Sequence, residues 1–106
     1  MISESRAEKA VEFIRDHAKE VGDLFGRCKA LDHCRKIIRS QAFLRTEAGS
    51  VAEREARAET SEEYKTIVHE IQNAWAEWKT LETRLRAAEL TYEAWRSQNK
   101  WGNRGA

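Results

Sequence analysis

The chain has 106 residues, of which 35% are charged, and its formal net charge is +1. That length fits one domain, whose hydrophobic core would be marginal unless association extends it. The near-neutral balance excludes the global basic excess of a dedicated nucleic-acid binder. No apolar run approaches the roughly 20 residues that span a bilayer, and the N-terminus lacks the apolar region of a signal peptide. We therefore predict a cytoplasmic protein that does not bind a membrane.

A long first helix is predicted from about Ser5 to about Thr46. Ala, Glu, Arg, Lys and Leu dominate the composition and proline is absent, which is typical of long helices. Apolar residues recur in alternating steps of three and four, the spacing of heptads. We expect local close packing or a slight bend at Gly22 and Gly26, since the pattern continues through them. The heptad positions are Ala7, Ala10, Ile14, His17, Val21, Leu24, Cys28, Leu31, Arg35, Ile38 and Ala42.

The segment after this helix predicts a turn and a short helix. Gly49 can adopt the left-handed conformation that ends a helix, and Ser50 with Glu53 has the spacing of a capping box. The short helix is therefore expected from Val51 to about Ala58. Its alternating Glu and Arg residues indicate a solvated helix with local ion pairs.

A second long helix is predicted to begin after a cap at Thr60 or Ser61 and to end near Asn99. Heptad spacing is sustained for more than four heptads, which predicts that one face packs against another helix. The glycine-rich end predicts a flexible tail over residues 100–106, which leaves residues 1–99 as a single helical domain. The heptad positions are Tyr64, Ile67, Ile71, Ala74, Trp78, Leu81, Leu85, Ala88, Tyr92 and Trp95.

The distribution of charge predicts how the two long helices meet. Residues 27–45 contain six basic residues and one acidic residue, whereas residues 60–83 contain five acidic residues and two basic ones. Residues 1–26 are net negative and residues 84–106 are net positive. An antiparallel pair brings opposite charges together at both ends, and a parallel pair does not. We therefore predict an all-α fold, a coiled-coil-like antiparallel hairpin of two long helices with a short helix at the turn.

Two helices alone cannot bury all of the apolar side chains. Val11, Phe13, Phe25 and Trp75 lie beside the heptad positions and widen the apolar faces. A homodimer that forms a four-helix bundle would bury this surplus, and a monomer whose short helix covers it is the alternative. The residues predicted to form the core of the hairpin or dimer are Leu24, Leu31, Ile38, Ile71, Trp75, Trp78, Leu81, Leu85, Tyr92 and Trp95.

Residues with reactive or metal-binding side chains do not converge in the sequence. Of Cys28, Asp32, His33 and Cys34, only the first two share a helix face, and zinc needs three or four converging ligands. The two cysteines cannot form an intrahelical disulfide and are expected to stay reduced. His17 is interpreted as a histidine that is hydrogen-bonded in a helix interface. We predict no catalytic residue, metal, cofactor or small-molecule substrate.

Two surfaces are candidates for binding a partner, a basic flank on the first helix and a C-terminal run in which basic residues surround a tryptophan. The flank could follow a phosphate backbone, but neutralisation by the acidic half of the other long helix is the favoured interpretation. The C-terminal run suits base stacking or a protein contact. Arg35, at a heptad position, is expected to pair with Glu63 or Glu70. The surface residues are Arg27, Lys36, Arg39 and Arg45 on the flank, and Lys100, Trp101 and Arg104 at the C-terminus.

A resemblance to a known family lies in the stretches QAFLRTEAGSVAEREARAETSEEY and LTYEAWRSQNKWGN. The chain resembles small helical proteins of tailed phages and prophages, often encoded near early-region genes for DNA recombination and single-strand handling. The resemblance brings no catalytic residue and implies a protein of the bacterial host cytoplasm. We predict a non-enzymatic protein that binds a host or phage protein, such as a DNA-processing or recombination factor. Direct binding of single-stranded nucleic acid is the alternative.

Overall fold

The computed structural model describes residues 1–104, with side chains through Lys100. This part of the chain is all helical, and consists of α1 (Glu4–Arg45), α2 (Val51–Glu59) and α3 (Glu62–Arg104). The predicted helices are confirmed, with starts and ends within one or two residues of the expected positions except at the end of α3. That helix continues to Arg104, past the predicted end at Asn99. A glycine costs a helix only about 1 kcal/mol, so Gly102 alone does not end it.

The turn between α1 and α2 has the predicted geometry. Gly49 has a positive φ of 109°, which is the conformation expected of a residue beyond a helix end. Ser50 is the N-cap of α2, and its Oγ accepts a hydrogen bond from the backbone N–H of Glu53 at 3.2 Å. That bond satisfies one of the backbone donors that a helix start leaves unpaired.

The connection between α2 and α3 is two residues long. Thr60 caps the C-terminus of α2, and its backbone N–H donates to the carbonyl of Ala56 at 3.1 Å. Ser61 precedes α3, and its Oγ accepts from the backbone N–H of Tyr64 at 3.3 Å. Of the two residues predicted to cap the start of this helix, Ser61 is the one that does so, and the predicted start is confirmed.

The chain forms two compact units, and both long helices contribute to each of them. Unit 1 consists of Met1–Asp23 and Trp78–Ala106, and unit 2 consists of Leu24–Glu77. The prediction of one domain over residues 1–99 stays a prediction.

In unit 1 the segments of α1 and α3 are antiparallel. Ile2 is bonded to Gln98, and further along the pair the guanidinium of Arg84 lies 4.9 Å from the centre of the Phe13 ring. As the residue number rises on α1 it therefore falls on α3.

Unit 2 shows the same direction of pairing and also contains α2. Phe25 contacts Trp75, and further along Arg35 contacts Tyr64, so α1 and α3 are again antiparallel. An ion pair between Arg39 of α1 and Glu59 of α2 joins these two helices. The predicted antiparallel pairing is confirmed in both units.

The heptad pattern correctly identifies the packed face of each long helix. Every heptad position predicted on α1 and α3 is buried or half-buried. The buried residues of α1 are small, whereas α3 contributes larger side chains, which suits packing of one helix into the other. The buried core residues are Ala7, Ala10, Cys28 and Ala42 from α1, Ala58 from α2, and Ile67, Ala74, Leu81 and Leu85 from α3.

Gly22 and Gly26 do not have the packing role expected for them. A Cβ atom added at either position would meet nothing within 4 Å. Helix α1 runs through both glycines without interruption. The expectation of local close packing is therefore wrong, because both residues lie on the exposed side of the helix.

Candidate partner-binding surfaces

The basic flank predicted on α1 lies in unit 2, where half of it is neutralised. Arg39 pairs with Glu59 at 3.0 Å, and Arg45 pairs with Glu63 at 3.8 Å. Arg27 and Lys36 are exposed, and no described residue forms an ion pair with either. The acidic residues of α2 and α3 therefore account for two of the four cations.

Arg35 does not have the partners expected for it. Its Nε donates to Asp32 Oδ1 at 3.2 Å, and its Nη1 donates to the hydroxyl of Tyr64 at 3.3 Å. The bonds to Tyr64 and Asp32 raise the pKa of Arg35 above its usual value. The expected pairing with Glu63 or Glu70 is wrong, because an acid one turn away on the same helix and a hydroxyl across the interface already bind the guanidinium.

An aromatic–lysine cluster, formed by Phe25, Lys29 and Trp75, lies in unit 2. The Phe25 and Trp75 rings meet edge to face with centroids 5.9 Å apart and an interplanar angle of 80°. Lys29 Nζ lies 5.3 Å from the Phe25 centroid and 5.9 Å from the Trp75 centroid. Phe25 is 40% exposed and Trp75 is half-buried. The i, i+4 spacing of Phe25 and Lys29 is the sequence signal that could have indicated this cluster.

An open groove in unit 1, which we call the N-terminal groove, was not predicted. Its volume is about 330 Å³. Three exposed carboxylates and one arginine of α1 form its rim, and half-buried aromatic residues of α3 contribute to its floor. The lining residues are Glu4, Ala7, Glu8, Val11, Glu12, Arg15, Tyr92 and Trp95.

His17 is a half-buried residue of unit 1. Its Nδ1 lies 2.8 Å from Glu20 Oε2, and its ring centroid is 4.4 Å from that of Phe13. A carboxylate on its own helix is therefore its hydrogen-bond partner. His17 is hydrogen-bonded as interpreted, but both of these contacts lie within α1 and not across a helix interface.

The cysteines and their acidic neighbour do not converge. Cys28 is fully buried, Cys34 is exposed, and both are free. The carboxylate of Asp32 forms an ion pair with Arg35. Within the described residues no group of three or more His, Cys, Asp or Glu side chains is placed to hold a metal ion.

Seven of the nine residues of α2 are exposed, as the Glu–Arg pattern predicted for a solvated helix, but its arginines have other partners than expected. The guanidinium of Arg54 lies 4.3 Å from the Phe43 ring centroid and donates to the Phe43 carbonyl at 3.3 Å. Arg57 donates to the Ala48 carbonyl at 3.0 Å. The expectation of local ion pairing for these two arginines is therefore wrong, because carbonyl groups at the end of α1 and in the following turn accept from them.

The predicted core residues divide evenly between the units. Leu81 and Leu85 are buried and the other eight are half-buried. Unit 1 contains Trp78, Leu81, Leu85, Tyr92 and Trp95, and unit 2 contains Leu24, Leu31, Ile38, Ile71 and Trp75.

The predicted C-terminal surface is described only in part. Lys100 is an exposed residue of unit 1, and the side chains of Trp101 and Arg104 lie outside the described residues.

Comparison with known proteins gives no match to a family model, to a curated protein or to a solved structure. The resemblance to phage proteins therefore stays a prediction. None of the helices in the described range combines the length and apolar character that crossing a membrane requires.

Proposed function

We propose that this chain is a non-enzymatic helical interaction protein that binds another protein through the aromatic–lysine cluster of unit 2. The observation that supports this most directly is the exposure of Phe25, which is 40% accessible beside Trp75 and Lys29. Aromatic residues are the commonest anchors of protein interfaces, where a few such side chains account for most of the binding energy.

The charges around the cluster indicate the chemistry of the partner. Lys36 follows Lys29 by seven residues, so the two lysines lie on one side of α1. Lys36 has no ion-pair partner among the described residues. A partner surface with a pocket for the aromatic side chains and carboxylates around it would complement this face.

The biological setting and the assembly are part of the same proposal. The resemblance supports a phage-encoded protein in the host cytoplasm, whose partner is a DNA-processing or recombination factor of host or phage. A homodimer that forms a four-helix bundle is supported by Val11, an apolar side chain of unit 1 that is left 39% exposed. It predicts a melting temperature that rises with protein concentration and a solution mass of twice 12.3 kDa.

Recovery of the partner from infected-host lysate with matched variants tests the binding surface. Phe25→Ala and Lys29→Glu should each lose a protein that the wild-type chain recovers in stoichiometric amount. Ile37→Ala is the control, because Ile37 lies on α1 in the same unit, is 45% exposed and is outside the cluster. Equal recovery by all variants, or no stoichiometric protein with the wild type, contradicts the proposal.

Direct binding of single-stranded nucleic acid is the second candidate. It is favoured by Arg27, Lys29 and Lys36, which are exposed and unpaired with acidic side chains in the described part of unit 2. Exposed rings beside such cations could stack on bases. Binding to an oligonucleotide should then weaken steeply with salt, and replacing Arg27 or Lys36 with Gln should reduce the salt slope by about 0.7 for each lost phosphate contact. Absence of salt-sensitive binding rejects this candidate.

A further inference from the structure

From the geometry of unit 1 we infer that the N-terminal groove is the contact surface of the homodimer and that its occupant is a second copy of this chain. This inference rests on the homodimer proposed above and specifies which side chains form it. In each copy Glu4 of α1 faces Arg96 of the partner copy.

The first argument is the composition of the groove. Tyr92 and Trp95 are half-buried with ring centroids 6.1 Å apart, and Val11 beside them is 39% exposed. Two copies meeting at this face would bury these apolar side chains in one shared layer. The groove is open, with a volume of about 330 Å³, so side chains of a second helix pair can enter it.

The second argument is charge complementarity within the same unit. Three carboxylates on the rim, Glu4, Glu8 and Glu12, form no ion pair with any described residue. Arg96 and Lys100 are exposed residues on α3 and are likewise unpaired in the described part of the chain. With Arg15 on α1 and Glu93 on α3 included, these groups have a net charge of minus two on α1 and plus one on α3.

The third argument is the level of these groups along the helices. Because Ile2 is bonded to Gln98 and the helices are antiparallel with equal rise per residue, Glu4 lies level with Arg96. The structure has no ion pair between these two side chains within one chain. A second copy can therefore satisfy both of them.

Charge also selects the direction of the symmetry axis. A two-fold axis parallel to the helices places α1 of one copy beside α3 of the other, so Glu4 meets Arg96 twice in the dimer. An axis perpendicular to the helices would place the carboxylates of α1 against their own copies, where like charges repel. The parallel axis is the arrangement we propose.

A charge-swap experiment with the full chain tests this contact. Glu4→Arg and Arg96→Glu should each raise the dimer dissociation constant by at least about tenfold, because each homodimer then has like charges at both contacts. An equimolar mixture of the two variants should dimerise again, since every contact in the mixed dimer joins opposite charges. An intrachain effect would not give this rescue.

Sedimentation velocity provides the mass, and circular dichroism verifies that each variant is helical. Lys9→Glu is the control, because Lys9 is exposed on α1 and does not line the groove, and it should leave the dissociation constant unchanged. Val11→Glu, at a position already 39% exposed in one chain, should weaken the dimer as well and serves if Glu4→Arg does not fold. A wild-type mass of 12.3 kDa at every concentration overturns the homodimer itself. A wild-type dimer with no loss in the variants, or with no rescue in the mixture, overturns only this surface.

Discussion

Gln98 binds both backbone groups of Ile2. The N–H of Ile2 donates to Gln98 Oε1 at 3.0 Å, and Gln98 Nε2 donates to the carbonyl of Ile2 at 3.0 Å. The side-chain amide of Gln98, on α3, thus accepts one hydrogen bond from Ile2 and donates one to it, as a backbone peptide group would. Ile2 itself precedes α1. These two bonds hold the N-terminal residues of unit 1 against α3.

Replacing Gln98 should therefore lower stability although the residue is polar. Gln98→Ala removes both bonds from partly buried groups and should cost about 1–3 kcal/mol in the free energy of unfolding. Ser97→Ala, at the exposed neighbouring position, should change it by less than about 0.5 kcal/mol. Urea unfolding at one fixed protein concentration measures both, and equal values for the two variants would show that the Ile2 bonds do not form in solution.

The bond between Arg35 and Tyr64 can be measured by a double-mutant cycle. Arg35→Met keeps an unbranched side chain, and Tyr64→Phe removes only the hydroxyl that accepts from Arg35 Nη1. We expect a coupling energy of about 0.5–1.5 kcal/mol in unfolding experiments, typical of a hydrogen bond between packed side chains. A coupling energy of zero would mean that Arg35 is held by Asp32 alone.

The burial of α3 predicts that leucine-to-alanine substitution costs much more stability at one position of this helix than at another. Leu81 is 7% exposed and Leu90 is 50% exposed, and both belong to unit 1. Leu81→Ala should destabilise by about 2–5 kcal/mol through lost burial and a residual cavity. Leu90→Ala should lower the free energy of unfolding by less than about 1 kcal/mol. Thermal or urea unfolding of the pair measures the difference, and similar losses would show that the packed face of α3 is misassigned.

Two glycine-to-alanine substitutions should change stability in opposite directions. Gly49 has a φ of 109°, and a Cβ there would lie 2.7 Å from Glu53 Oε2, so Gly49→Ala should destabilise by more than about 1 kcal/mol. Gly26 is in a helix interior with open space around it, so Gly26→Ala should stabilise by up to about 1 kcal/mol. A loss of stability for Gly26→Ala, measured by urea unfolding, would indicate that another chain packs against that position.

The periodicity of the sequence was sufficient to predict the helices and their packed faces. Burial of apolar side chains at steps of three and four requires one particular register, so Leu81 and Cys28 could be placed inside without coordinates. The turn was also predictable, because Gly49 and Ser50 act through their own backbone and nearest neighbours. These features depend on local geometry or on a repeated pattern.

The contacts of long polar side chains could not be predicted in this way. Arg35 has several acceptors within reach, and only coordinates show that Asp32 and Tyr64 bind it. Gln98 binds backbone groups 96 residues away, which no spacing rule indicates. The N-terminal groove likewise depends on how the side chains of α1 and α3 pack around Tyr92, which is a property of three-dimensional packing.

Because its two cysteines differ in exposure, the chain contains a chemical reporter of the local separation of α1 from α3. Cys34 is exposed, whereas Cys28 is fully buried in unit 2 and burial raises the pKa of its thiol. A thiol reagent at neutral pH should therefore modify Cys34 quickly and reach Cys28 only when α1 separates locally from α3. The slow phase of labelling then measures how often the packed face of unit 2 opens in the native protein. Neither an added fluorophore nor an engineered residue is needed for that measurement.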